Sequence, residues 1–181
     1  MSEVVFLGDS ITAGFTQLSR FDNVTNMGIG GDKTIEIIGR LNSVTIKKPS
    51  KIFLMVGIND FTTNKGKWGD HLKIPFEQSY QLLLDVLKES VPNTKIITQA
   101  ILPLNVSSIA LEEEIDAFNK EITKWNETIK VISKKLKIEF IDFTNKFKDE
   151  KGRLKLEYTI DGTHLSELGY EVFYESVKPL I

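Results

Sequence analysis

Five short runs rich in β-branched and apolar residues, separated by stretches with helical spacing, restrict the folds open to this chain more than any other feature. The runs are Val4 to Leu7, Val24 to Ile29, Ile52 to Val56, Lys95 to Ile101 and Ile138 to Phe143. Their near-continuous apolar character is that of strands buried on both faces. Strands alternating with helices predict a parallel sheet covered on both sides, and right-handed crossovers leave little beyond the doubly wound topologies. Such sheets bind ligands at the carboxyl ends of their strands, so site residues are expected just after the runs.

The intervening segments have the period of helices. Pro75 stands where a first-turn proline is tolerated, Phe76, Tyr80, Leu83, Leu84 and Leu87 follow at helical spacing, and Pro92 closes the segment. From Leu111 to Lys137 the residues Ile115, Phe118, Ile122, Trp125, Ile129, Ile132 and Leu136 recur three and four apart, which predicts a long amphipathic helix. Glu112, Glu113 and Glu114 fall in its first turn and Lys134, Lys135 and Lys137 near its end, as the helix dipole favours. Its apolar stripe is expected to face the core, a seam for a partner helix being the alternative. With no repeat, low-complexity tract or linker, one domain over residues 1–181 is expected.

Composition narrows the function classes. Lys and Arg number 23 and Asp and Glu 25, a formal net charge of −2 that carries no footprint for nucleic acid or anionic lipid, so a small-molecule partner is expected. The absence of cysteine excludes disulfides, thiolate ligands and a cysteine nucleophile. No apolar run approaches the ~18 residues that span a bilayer, and the amino terminus lacks the basic and apolar regions of a signal peptide. A cytoplasmic protein without membrane insertion is expected, its oligomeric state left open.

The first run ends in Gly8-Asp9-Ser10-Ile11-Thr12-Ala13-Gly14. A serine here either caps the next helix or presents its hydroxyl to a cleft as a nucleophile. The turn is not a G-x-S-x-G elbow, because Thr12 stands where the second glycine belongs. A serine nucleophile needs a histidine base and a carboxylate to orient it. Of the two histidines, His164 lies in Asp161-Gly162-Thr163-His164, where a three-residue separation lets the carboxylate meet the imidazole, and Ser166 is placed to cap a terminal helix. The other, His71 in Trp68-Gly69-Asp70-His71, reads as a surface or substrate-side residue. Acyl transfer also needs donors for an oxyanion. Asn26-Met27-Gly28-Ile29-Gly30-Gly31-Asp32 offers backbone N–H groups and Gly57-Ile58-Asn59-Asp60 an amide, although each is equally an ordinary turn.

In the order GDSIT, NMGIGGD, GIND and DGTH, these blocks resemble the SGNH (GDSL-type) hydrolase family over nearly the whole chain. The resemblance implies a flavodoxin-like three-layer α/β/α sandwich with a central five-stranded parallel sheet. It implies a Ser10, Asp161 and His164 triad, an oxyanion hole formed by the Ser10 and Gly31 N–H groups and the Asn59 amide, and supporting or turn roles for Asp9, Gly30 and Asp60. It implies a serine esterase, whose mechanism requires no cofactor; the sequence lacks H-E-x-x-H, paired histidines at ligand spacing and an EF-hand loop, so no catalytic metal is expected. The GIGGD block and compact length are similar to platelet-activating-factor acetylhydrolase-like and carbohydrate acetylesterase members, which favours short acyl groups on a carbohydrate or small molecule. Segments near Lys65 to Ile74 and Leu104 to Leu111 are expected either to shape the pocket or to be inert loops. A lysophospholipase or thioesterase would use the same triad. A non-catalytic phosphate-binding module is the competing class, since Gly31-Asp32-Lys33-Thr34 is similar to the end of a P-loop; Asp32, however, puts a negative charge where glycine should stand.

Overall fold

The structure is a computed structural model, which describes residues 3–63, 74–106 and 110–181. The strands are β1 (Val4–Gly8), β2 (Val24–Gly28), β3 (Lys51–Met55), β4 (Lys95–Gln99) and β5 (Glu139–Ile141). The α-helices are α1 (Ser10–Ala13), α2 (Thr34–Gly39), α3 (Leu41–Thr45), α4 (Ile58–Thr63), α5 (Phe76–Ser90), α6 (Glu112–Lys135), α7 (Thr144–Phe147) and α8 (Glu167–Val177). All strand pairs are parallel and the order is β2-β1-β3-β4-β5, the flavodoxin-like arrangement. The order reverses between β1 and β3, whose carboxyl ends therefore flank the crevice where such sheets bind ligands.

Side chains alternate across a strand, and that period divides the core in two. Val5 and Leu7 of β1 with Ile52 and Leu54 of β3 face the cluster built by α2, α3, α5 and α6, whereas Val4, Phe6, Phe53 and Met55 face the one built by α1, α7 and α8. The expectation of five buried strands needs correction at the edges. β1 and nearly all of β3 and β4 are buried, but β2 and β5 are half-exposed, because each has a neighbour on one side only. The fourth run also ends before Ile101, whose N–H and C=O bond the Asn126 side chain on α6, at 2.7 and 2.9 Å, instead of a neighbouring strand.

The two long helices form where the apolar period places them. Pro75 is the residue that precedes α5, and Phe76, Tyr80, Leu83, Leu84 and Leu87 are its buried face. In α6, Ile115, Ile122, Ile129 and Ile132 are buried and Phe118 and Trp125 pack beside them, so the stripe is a core face. Among the described residues no helix is long and apolar enough to cross a membrane.

Candidate active site

Ser10 is the first residue of α1, and the helix is capped by its neighbour: Asp9 Oδ1 accepts the Ile11 N–H at 3.0 Å. That resolves the ambiguity of the GDS tripeptide, since the serine is not the cap and its hydroxyl is free for other chemistry. As the first helical residue, Ser10 has an N–H with no intrahelical acceptor. The four-residue helix is held from outside. Asn26 Nδ2 donates to Thr12 O at 2.7 Å, and the Tyr170 hydroxyl on α8 donates to Ile11 O at 2.9 Å.

His164 and Asp161 stand on the loop before α8, which Ser166 caps by accepting the Gly169 N–H at 3.2 Å. Asp161 Oδ1 accepts the N–H groups of Thr163 and His164 at 2.9 and 2.8 Å, turning the chain back so that Oδ2 lies 2.6 Å from His164 Nδ1. The turn is closed by Thr159, whose hydroxyl donates to His164 O at 2.7 Å and accepts the Gly162 N–H at 2.8 Å. Gly162 has φ +89° and lies against the Asn105 carbonyl, where a Cβ would come within 2.2 Å, so only glycine fits. The imidazole reaches across to Ser10, with Nε2 2.9 Å from Oγ. An ionised Asp161 assigns the imidazole proton to Nδ1, which leaves the Nε2 lone pair to accept from the serine hydroxyl.

The glycine-rich turn after β2 runs beside the serine. A Cβ on Gly30 would lie 3.8 Å from Ser10 Cβ, and Gly31 has φ +84°. The turn is tied down by Ile29 N–H to Gly8 O at 3.0 Å and Asp32 N–H to Ile29 O at 3.2 Å. From the first turn of α4, Asn59 Nδ2 donates to Asp32 O at 2.9 Å and Asp60 accepts from Thr34 Oγ1 and N–H, at 2.7 and 3.0 Å. Asn59 and Asp60 thus tie the start of α4 to the glycine-rich turn and to the start of α2, and do not form a self-contained turn. Glu36 and Asp60 occupy the first N–H groups of α2, those of Lys33 and Thr34, where a P-loop would hold phosphate. Ser10, Gly31, Asn59, His164 and Asp161 are therefore gathered at the carboxyl end of the sheet. His71 and Trp68 lie outside the described residues, as do most of the Lys65–Ile74 segment and residues 107–109.

Burial sets the charge states nearby. Asp9, 2 % exposed, has its pKa pushed up to about 7 by burial, with the Ile11 N–H and His164 pulling it down and Asp60 and Asp32 adding to the rise. Burial likewise raises Asp60 above the usual carboxylate range against the hydrogen bonds from Thr34. For Asp161 partial burial acts upward, but the hydrogen bonds from the His164 ring and from the His164 and Thr163 N–H groups outweigh it and hold the carboxyl below its ordinary value. Among the described residues no group of three or more His, Cys, Asp or Glu side chains is placed to hold a metal ion. A narrow pocket is lined by the two residues that flank the serine in the chain, Asp9 and Ile11, by Val56 and Ile58 after β3, by Leu102 and Leu104 after β4, and by Thr163, which precedes His164. The wall after β4 is held by Asn119 on α6, which bonds the N–H and C=O of Leu104 at 2.8 and 2.9 Å. Sequence reasoning missed Asn119, Asn126 and Tyr170.

Residues 6–172 match the model of the GDSL-like lipase/acylhydrolase family. No curated protein matches the chain. Among solved structures, a candidate platelet activating factor from Streptococcus pneumonia is 27% identical with a TM-score of 0.80, the match covering 99% of this chain and 83% of that one. A GDSL-like lipase from Bacteroides thetaiotaomicron is 23% identical with a TM-score of 0.78, over 99% and 87% of the two chains. An acetylxylan esterase, Axe2 from Geobacillus stearothermophilus, is 18% identical with a TM-score of 0.73, over 98% and 93%.

Proposed function

Because the chain belongs to the GDSL-like lipase/acylhydrolase family and is a hydrolase acting on esters, we propose that Ser10, His164 and Asp161 are its catalytic triad and that it removes short, acetyl-sized acyl groups from a carbohydrate or small molecule. The observation that carries this reading is the continuous run of contacts from Ser10 Oγ to His164 Nε2 at 2.9 Å and from His164 Nδ1 to Asp161 at 2.6 Å.

His164 Nε2 takes the Ser10 proton as Oγ attacks the ester carbonyl carbon. The carbonyl oxygen becomes an oxyanion, met by the N–H groups of Ser10 and Gly31 and by the Asn59 amide. Collapse breaks the bond to the alcohol oxygen, which leaves with the proton from His164. Water, deprotonated by His164, then cleaves the acyl-enzyme and restores Ser10. Asp161 stays ionised throughout and stabilises the imidazolium.

Two features support a short acyl group. The pocket next to Ser10's chain neighbours is walled by Ile11, Val56, Ile58, Leu102 and Leu104, all buried, with Leu104 held by Asn119 on α6, so a long chain would have to displace packed side chains. The similarity of fold to acetylxylan esterases points the same way. The test is hydrolysis of p-nitrophenyl acetate, butyrate and octanoate by the wild type and by Ser10→Ala, at neutral pH with chelator present. Activity that falls with chain length, persists in chelator and disappears in the variant is the expected result. Preference for octanoate, for a lysophospholipid or for a thioester would overturn the short-ester reading, and undiminished activity in Ser10→Ala would overturn the triad.

A further inference from the structure

An ion pair that the chemistry above leaves unused lies beneath the glycine turn. Arg40, the residue following α2, donates from Nε to Asp32 Oδ2 at 2.6 Å and from a terminal guanidinium nitrogen to Gly8 O at 3.0 Å. The two side chains are only 16% and 11% exposed. Gly8 ends β1 two residues before Ser10, and Asp32 directly follows Gly31. One rigid guanidinium fork therefore joins the strand that delivers the serine to the turn that delivers the Gly31 N–H. Asp32 is engaged on its other sides too, through its N–H to Ile29 O at 3.2 Å and through its carbonyl, which accepts the Asn59 amide at 2.9 Å. Three elements meet at this residue.

We propose that Arg40 and Asp32 are a positioning pair that sets the Gly31 N–H and the Asn59 amide at the distance from Ser10 where an oxyanion forms. The inference rests on Ser10 being the nucleophile. As a pair the two side chains carry no net charge, so their effect on the reaction is one of placement and not of field. Preorganised donors contribute most when they need not move as charge develops, and a displacement of about 1 Å can cost roughly a hundredfold in rate. A surface ion pair that merely stiffened α2 would have no need of the Gly8 carbonyl.

The experiment uses Arg40→Lys, which keeps the charge but loses the fork that spans Asp32 and Gly8, and the charge-free double variant Asp32→Asn with Arg40→Met, which carries the same test if the first does not fold. Active sites are counted by complete reaction with a fluorophosphonate that labels Ser10. Then kcat and KM are measured on p-nitrophenyl acetate, and the inhibition constant of a boronic acid that forms a tetrahedral serine adduct is determined. The expected result is one label per chain, kcat per labelled site lower by roughly ten- to a hundredfold, KM within about twofold of wild type, and the boronate weakened by a factor similar to that of kcat. Unchanged kcat per site and unchanged boronate inhibition would overturn the positioning role, as would a loss explained wholly by fewer labelled sites. Wild-type protein that neither hydrolyses the ester nor takes the label would overturn the nucleophile reading itself, and the positioning role with it.

Discussion

Asp9 and Asp161 stand on opposite sides of the Ser10–His164 contact, and the fold treats them in opposite ways. The turn that carries Asp9 is interior, with the carboxyl 2 % exposed and its pKa pushed up to about 7 by burial. The loop that carries Asp161 lies at the surface, its side chain 49% exposed, with hydrogen bonds from His164 and Thr163 holding the carboxyl below its ordinary value against partial burial. The difference follows the work each performs. Asp9 needs only an oxygen that accepts the Ile11 N–H, which either protonation state supplies. Asp161 must stay charged to hold the imidazole proton on Nδ1, and a surface turn with converging donors keeps a carboxylate charged more cheaply than an interior site does.

The sharpest way to break this comparison is to remove the groups in turn. His164→Ala is expected to lower kcat on p-nitrophenyl acetate by roughly ten-thousand- to a million-fold, and Asp161→Asn by about ten-thousandfold at neutral pH, since the amide can hold the ring in the wrong tautomer. A loss below tenfold in Asp161→Asn would mean that Asp161 does not orient the base. On the interior side, Tyr170→Phe leaves the Ile11 carbonyl without its buried donor and is expected to reduce unfolding stability by about 1–3 kcal/mol in urea titrations. An unchanged midpoint would show that α1 does not depend on that bond.

The smallest expected effect concerns pH. Asp9 has a raised pKa in the folded state, so the stability linked to its protonation is fully present below its unfolded value of 3.8 and is lost as pH rises through about 7. Asp9→Asn keeps a side chain that caps α1 but cannot ionise. The variant is therefore expected to lose less melting temperature than wild type between pH 5 and pH 8, with both proteins scanned in the same buffers. Parallel pH profiles would count against an interior Asp9 that resists ionisation.

The two regions also differ in how far the sequence exposed them. Asp161 and His164 are three residues apart, and a spacing that short restricts the geometry enough for the pair to be read from the chain alone. The GDS turn is ambiguous in the sequence, because a serine at a strand end serves as readily to cap a helix as to present a nucleophile; the backbone path, which gives the cap to Asp9, removes the first role. Arg40, Tyr170, Asn119 and Asn126 left no mark in the sequence. Their partners include backbone carbonyls of Gly8, Ile11, Leu104 and Ile101, at separations of 32, 159, 15 and 25 residues. Any residue supplies a carbonyl, so such bonds create no pattern of residue types.

By itself the sequence determined what short-range physics governs: five strands from runs of apolar residues, α5 and α6 from a three-four period, and turns with accessible backbone N–H groups from glycines after the strands. The edges were read as too buried, since burial depends on how many neighbours a strand acquires. Only the tertiary structure could bring Ser10 to His164 across 154 residues of chain, and only it could give two aspartates opposite charge preferences. A side chain's type sets its ordinary pKa, whereas desolvation and hydrogen bonding are sums over every group the fold places around it.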